Sequence, residues 1–199
     1  MIMRMFAILL ALQGGRASDT YFQFIAKLSS GVGNTFAAIA VGSADVWNKL
    51  ATPQAKRILR DLSSDAETLY GKNKSLESDV EKRMRNHSER ELDIDPRIKD
   101  LRDAATKMSE RLEKFRHEVD QAVGTEVHFR GNTERAFGAK ADRLQDVADS
   151  WHAGKYQDAW IALSDAERSL QRAQNGIVCM KESIDAGKTV CDKDTLERK

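Results

Sequence analysis

The sequence predicts an all-α fold: an elongated antiparallel bundle of four or more helices with heptad, coiled-coil-like seams. Three observations carry that expectation. Apolar residues recur at alternating steps of three and four over long stretches. Only 2 prolines and 12 glycines punctuate 199 residues, too few for the turns every ~8–12 residues that a barrel or sandwich needs. Charged residues make up 32% of the chain, in runs of alternating sign such as Glu81-Lys82-Arg83-Met84-Arg85 and Glu110-Arg111-Leu112-Glu113-Lys114, the pattern of solvated helix faces.

The chain begins MIMRMFAILLALQGGRASD. Arg4 precedes the apolar run Met5–Leu12, and Gly15-Arg16-Ala17 places small residues where a signal peptidase reads them. Residues 1–17 are therefore expected to be a secretory signal; the competing reading is an amphipathic first helix of an intracellular protein. An apolar run of this length falls well short of the ~20 residues that cross a bilayer, so no stable membrane anchor is expected. Removing the segment leaves 30 basic residues against 31 acidic.

Residues 18–50 form a second region, rich in small side chains. Between Lys27 and Asp45 no residue is charged. Two helices hinged at Ser29–Asn34 fit this stretch, the second carrying Phe36, Ile39, Ser43, Val46 and Leu50. Ala38 and Gly42, four apart, would let another backbone approach closely. Either a tightly packed helix or an uncharged contact surface for a partner or lipid follows from this composition.

The bundle proper is expected over 51–188. A long helix starts after Thr52-Pro53 and runs to about Arg90, with Leu59, Leu62, Ala66, Leu69, Asn73, Leu76 and Val80 on one stripe. Asn73 interrupts that stripe. After the short connector Leu92–Asp95 the chain folds back. Asp95 as N-cap and Pro96 at the first helical position open a second helix, with Ile98, Leu101, Ala105, Met108, Leu112, Phe115, Val119 and Ala122 on its seam. A loop, Thr125–Asn132, leads to a third helix capped by Asn132 or Thr133 and carrying Phe137, Ala141, Leu144, Ala148 and Trp151. The turn His152-Ala153-Gly154-Lys155 opens a fourth, with Tyr156, Ala159, Leu163, Ala166, Leu170, Ala173 and Ile177 on its seam. Trp160 lies one place off that seam, a position open to solvent and to a partner, although tryptophan is buried on average.

Residues 189–199 form a polar tail tied back by a disulfide. In one continuous helix Cys179 and Cys191 would lie ~18 Å apart, beyond any disulfide, so a bridge demands a reversal, which Asp185-Ala186-Gly187 can supply. In a secreted chain that pairing is expected; two unpaired thiols or an intermolecular bond are the alternatives. The sequons Asn73-Lys74-Ser75 and Asn86-His87-Ser88 nominate Asn73 and Asn86 for glycosylation in a eukaryotic secretory pathway.

Catalytic patterns do not emerge. The histidines His87, His117, His128 and His152 lack metal-ligand spacing and sit among polar neighbours. The glycine-rich Ser29–Thr35 lacks the Lys-Ser/Thr ending of a phosphate-binding loop. Abundant carboxylates follow from the charged faces and diagnose nothing. No catalytic residue, metal or cofactor is therefore assigned, and a net charge of +1 excludes a nucleic-acid binder that runs on bulk charge.

Ala153-Gly154-Lys155-Tyr156-Gln157-Asp158-Ala159, followed by Ala162-Leu163-Ser164-Asp165-Ala166 and Cys179, resembles the corresponding helix turn of plant invertase and pectin methylesterase inhibitors. The likeness covers roughly thirty residues. It implies a secreted four-helix bundle that caps a cell-wall enzyme, and Thr133 stands where that family carries a helix cysteine. No functional residue is carried over.

The expectation is thus a secreted, non-enzymatic bundle that binds another macromolecule, a protein partner, through Phe36, Ile39, Phe129 and Trp160. A lipid-binding amphipathic bundle, the enzyme inhibitor of the resemblance and an intracellular coiled-coil scaffold are the alternatives. An exposed seam could also be filled by a second copy, giving a homo-oligomer.

Overall fold

A computed structural model describes residues 44–86, 93–123 and 144–191, together with Tyr21, Ile25, Leu28, Val32 and Phe36. Regular structure among them is α-helical throughout: α1 (Ala44–Leu50), α2 (Pro53–Asn86), α3 (Asp95–Val123), α4 (Leu144–His152) and α5 (Tyr156–Ala186). Residues 1–17, the loop Thr125–Asn132 and the tail beyond Cys191 lie outside the described residues, as does the hinge Ser29–Asn34 apart from Val32, which is helical.

The helices begin and end where backbone chemistry dictates. Thr52 caps α2: its hydroxyl accepts from the Ala55 amide at 3.1 Å and its carbonyl from the Lys56 amide at 3.0 Å, while Pro53 occupies the first helical position, where an amide hydrogen would have no partner. The start of α3 differs by one residue from the sequence expectation. The Ile98 amide donates to the Ile94 carbonyl at 2.9 Å, which puts Ile94 at the cap. The Ile94 side chain is buried, and anchoring it outweighs the capping preference of Asp95.

Between α4 and α5 the chain turns through Gly154, whose φ of 74° is left-handed. Its amide donates to the Trp151 carbonyl at 2.9 Å and the Lys155 amide reaches the Ser150 carbonyl at 2.7 Å, a pair of bonds that closes the end of α4. The end of α5 is built alike. Gly187, at φ 63°, donates to the Ser183 carbonyl, and Lys188 donates to the same oxygen at 3.2 Å. Beyond it the chain reverses, and Cys179 and Cys191 form a disulfide with their Cα atoms 5.6 Å apart.

Most expected seam positions among the described residues are core; Ala122 and Tyr156 are half-buried against it, and Phe137 and Ala141 lie outside the described residues. Every stripe residue from Leu59 to Val80 on α2 and from Ile98 to Val119 on α3 is buried, as are Ala148, Trp151 and the α5 positions from Ala159 to Ile177. On α5 the buried face is broader than a heptad seam, adding Ala162, Gly176, Met180, Ser183 and Ile184. The reason is its position: α5 packs against α1, α2 and α4, so more of its circumference is covered. Tyr21, Ile25, Leu28, Val32 and Phe36, at steps of four, three, four and four, are helical and join the same core.

Polar pairs fix the helices along their length. On α2 and α3, Asp79 meets Arg97 at 2.5 Å, Lys72 meets Asp100 at 3.6 Å, Asp65 meets Arg111 at 2.7 Å, and Gln54 donates to Glu118 at 2.7 Å. The partners advance along α3 as they retreat along α2. Between α2 and α5, Asn73 Nδ2 donates to the Leu163 carbonyl at 2.8 Å, Tyr70 donates to Glu167 at 2.9 Å, and Lys56 meets Asp185 at 2.9 Å. The same opposition of direction holds there.

Candidate functional site

At one end of the molecule, the start of α2, the end of α5, helix α1 and the disulfide hook converge. Ser183 is the hub. It is fully buried; its carbonyl accepts two amides, from Gly187 and Lys188, and its hydroxyl accepts the Val190 amide at 3.2 Å. Trp47 of α1 donates its indole N–H to the Thr189 hydroxyl at 3.0 Å. A Cβ at Gly187 would come within 2.9 Å of Asn48 Oδ1, so glycine is favoured there both by φ and by the approach of α1.

A groove of about 610 Å³ opens on this end, lined by Pro53, Gln54, Lys56, Arg57, Leu59 and Arg60 of α2 and by Lys181, Ile184 and Asp185 of α5. Leu59 and Ile184 are buried and form its apolar floor. Four cationic side chains and one carboxylate line it, and the carboxylate, Asp185, is paired with Lys56. A second groove, between α2 and α3, is larger at about 1140 Å³, but there Arg57, Arg111 and Lys114 face Asp61, Glu110, Glu113 and Glu118. There the carboxylates outnumber the cations four to three, whereas in the first groove cations outnumber carboxylates four to one.

A titratable cluster sits midway along α2 and α5. Glu77 and Glu167 share a hydrogen bond, and Ser164 bonds Glu77. Burial, the bond to Glu167 and repulsion from it push the Glu77 carboxyl up to about 7. Burial opposes ionisation of Glu167 as well, but bonds from Glu77, Tyr70 and Lys74 hold it below the usual carboxylate range. Glu77 thus keeps its proton to higher pH than Glu167 does. Lys74 completes the chain, donating to the Tyr70 hydroxyl at 3.1 Å and lying 3.3 Å from Glu167. Among the described residues no group of three or more His, Cys, Asp or Glu side chains could hold a metal ion, and no described helix is long and apolar enough to cross a membrane.

The contact residues expected from sequence are not brought together. Phe36 is 5% exposed, its ring 6.0 Å from that of Trp47; it is a core residue rather than a surface anchor, because the uncharged helix face it belongs to is already covered. Trp160 is half-buried against the core, its indole nitrogen enclosed. Ile39 and Phe129 lie outside the described residues. Asn73 is fully buried, and its amide nitrogen, the atom a glycan would need, is bonded to Leu163; the folded chain has no room for a glycan there. Asn86 is the last residue of α2.

Sequence reasoning missed the groove and the carboxyl pair. The local excess of positive charge in Lys56-Arg57-Ile58-Leu59-Arg60 is a visible signal for the first. Nothing local marks the second, since Glu77 and Glu167 meet only through tertiary packing. Searches against protein-family models, curated proteins and solved structures return no match to this chain.

Proposed function

We propose that the protein is a secreted, non-enzymatic, elongated antiparallel bundle that works by binding another macromolecule, a protein, at its disulfide-pinned end. The opposed directions of the polar pairs along α2, α3 and α5 support the antiparallel arrangement. The Cys179–Cys191 disulfide fits an oxidising compartment, as does the apolar N-terminal run.

One observation carries the choice of surface. Among the described residues the exposed large apolar side chains are Val178 and Val190, at 40% and 44%. Each immediately precedes a cysteine of the disulfide. The covalent bond and the Ser183 hub hold both valines in place before any partner arrives, which lowers the ordering cost of binding.

The test is affinity capture from the native extracellular fluid, comparing wild type with Val178→Asp/Val190→Asp. A protein captured by the wild type and lost with the variant supports the reading; the same proteins captured by both overturn the surface. Mass spectrometry of the secreted product reads the mature N-terminus, expected near Ser18, and its absence from the medium overturns secretion.

A further inference from the structure

We infer that the groove between the first turns of α2 and the last turns of α5 is a binding site for a compact polyanion carrying tetrahedral oxyanions, phosphate or sulfate esters, held by Arg57, Arg60 and Lys181. This goes beyond the protein-binding reading and does not depend on it.

The contrast along α2 carries the inference. Of its cationic side chains, Lys56, Lys72, Lys74, Lys82 and Arg85 are ion-paired, and Arg83 lies over the Tyr156 ring at 5.7 Å. Arg57 and Arg60 have neither kind of partner among the described residues. Both line the groove, and so does Lys181, likewise without an ion-pair partner among the described residues. Other unpaired cations of the described residues, such as Lys99, Lys155 and Arg172, lie outside this groove, whereas Arg57, Arg60 and Lys181 are gathered in one concavity.

Helical spacing makes this a cost that folding does not remove. Lys56 and Arg60 are four apart and Arg57 and Arg60 three apart, so like charges are neighbours on one face, where they repel. The first turn of α2 has no acidic residue to offset them. Asp185 is the one carboxylate in the lining, and Lys56 already engages it.

The residue types narrow the ligand. Guanidinium groups present planar forks that bind two oxygens of a phosphate or sulfate at once. Two such forks with an ammonium group on the facing helix match a molecule bearing several oxyanions rather than a single carboxylate. The Leu59 and Ile184 floor gives its carbon skeleton an apolar seat. About 610 Å³ lies within the range of small-molecule sites.

Titration calorimetry of the full chain, disulfide intact and in low salt, with inorganic pyrophosphate and with sucrose octasulfate tests this. Binding of either is expected, and which one binds separates phosphate from sulfate ligands. Arg57→Ala/Arg60→Ala should weaken it about tenfold or more, and Arg57→Lys/Arg60→Lys by less, because the charge stays while the forks are lost. Arg172→Ala, exposed on α5 outside the groove, should leave it unchanged, as should Val178→Asp/Val190→Asp. Arg60→Glu should abolish binding while raising the melting temperature in anion-free buffer, since it removes the repulsion. Failure of both probes to bind overturns the inference. So does a loss with Arg172→Ala as large as with the double arginine variant, which would mean diffuse attraction to the surface.

Discussion

Asn73 shows how one side chain can decide between two readings of a pattern. It stands in a stripe otherwise made of leucine, alanine and valine, and it also begins a sequon. The fold uses it as a buried polar tie: Tyr21 donates to its Oδ1 at 3.0 Å while its Nδ2 donates to Leu163. Burial pushes the Tyr21 phenol well above its usual range, so it stays a neutral donor. Replacing Asn73 by Ala removes both bonds and opens a cavity, and denaturant unfolding should show a loss of about 2–3 kcal/mol. Mass spectrometry of the chain expressed through a eukaryotic secretory pathway should find Asn73 unmodified; a glycan there would be incompatible with this packing.

Glu77 gives a pH dependence of definite sign. Its folded value is raised to about 7, so the stability it contributes is fully present below its unfolded value and fades as pH rises through 7. Glu77→Gln keeps a hydrogen-bond donor toward Glu167 without the second charge. Relative to wild type it should be more stable at pH 8 by about 1 kcal/mol, after allowance for solvent screening, with the advantage vanishing near pH 5. Thermal melts across that range check it, and a difference that stays constant with pH would overturn the raised Glu77 value.

At the scale of the elements, the α2–α3 pairing separates ion pairs that matter from those that do not. Asp65 is 9% exposed and is met by Arg111 at 2.7 Å and Lys107 at 3.4 Å; Arg111 also meets Asp61 at 2.8 Å. Arg111→Ala leaves the buried Asp65 carboxylate with Lys107 as its only ion-pair partner among the described residues, and urea unfolding should record a loss of about 2–3 kcal/mol. Arg85→Ala removes only an exposed pair with Glu81 and should cost less than about 0.5 kcal/mol. Which helix faces are buried was readable from the apolar periodicity: the α2 stripe is buried from Leu59 to Val80 and the α3 seam from Ile98 to Val119, with Ala122 half-buried at its end. The extra breadth of the α5 face was not readable, because a helix's own pattern does not say how many neighbours cover it.

At the scale of the whole molecule, the disulfide links the end of α5 to the hook that meets α1. Cys179→Ser/Cys191→Ser should lower stability by about 2–4 kcal/mol, chiefly by freeing the unfolded chain. Hydrogen exchange should lose its protection at the Lys188 and Val190 amides, which bond Ser183, and keep it along α2; protection lost equally everywhere would mean that the hook has no separate role. The reversal that makes the bridge possible was legible at Asp185-Ala186-Gly187, since glycine alone takes a left-handed φ at little cost.

The sequence by itself determined the helical class, the seams, the Thr52-Pro53 start and the turn that lets the cysteines meet. All of these follow from interactions within a few residues, or from a period that one helix displays alone. Tertiary structure decided that Phe36 and Asn73 face inward, that Glu77 meets Glu167, and that Arg57, Arg60 and Lys181 line one groove without ion-pair partners among the described residues. Each of those depends on what a distant segment places opposite the side chain. Charge and burial are properties of a neighbourhood, and only folding brings that neighbourhood together.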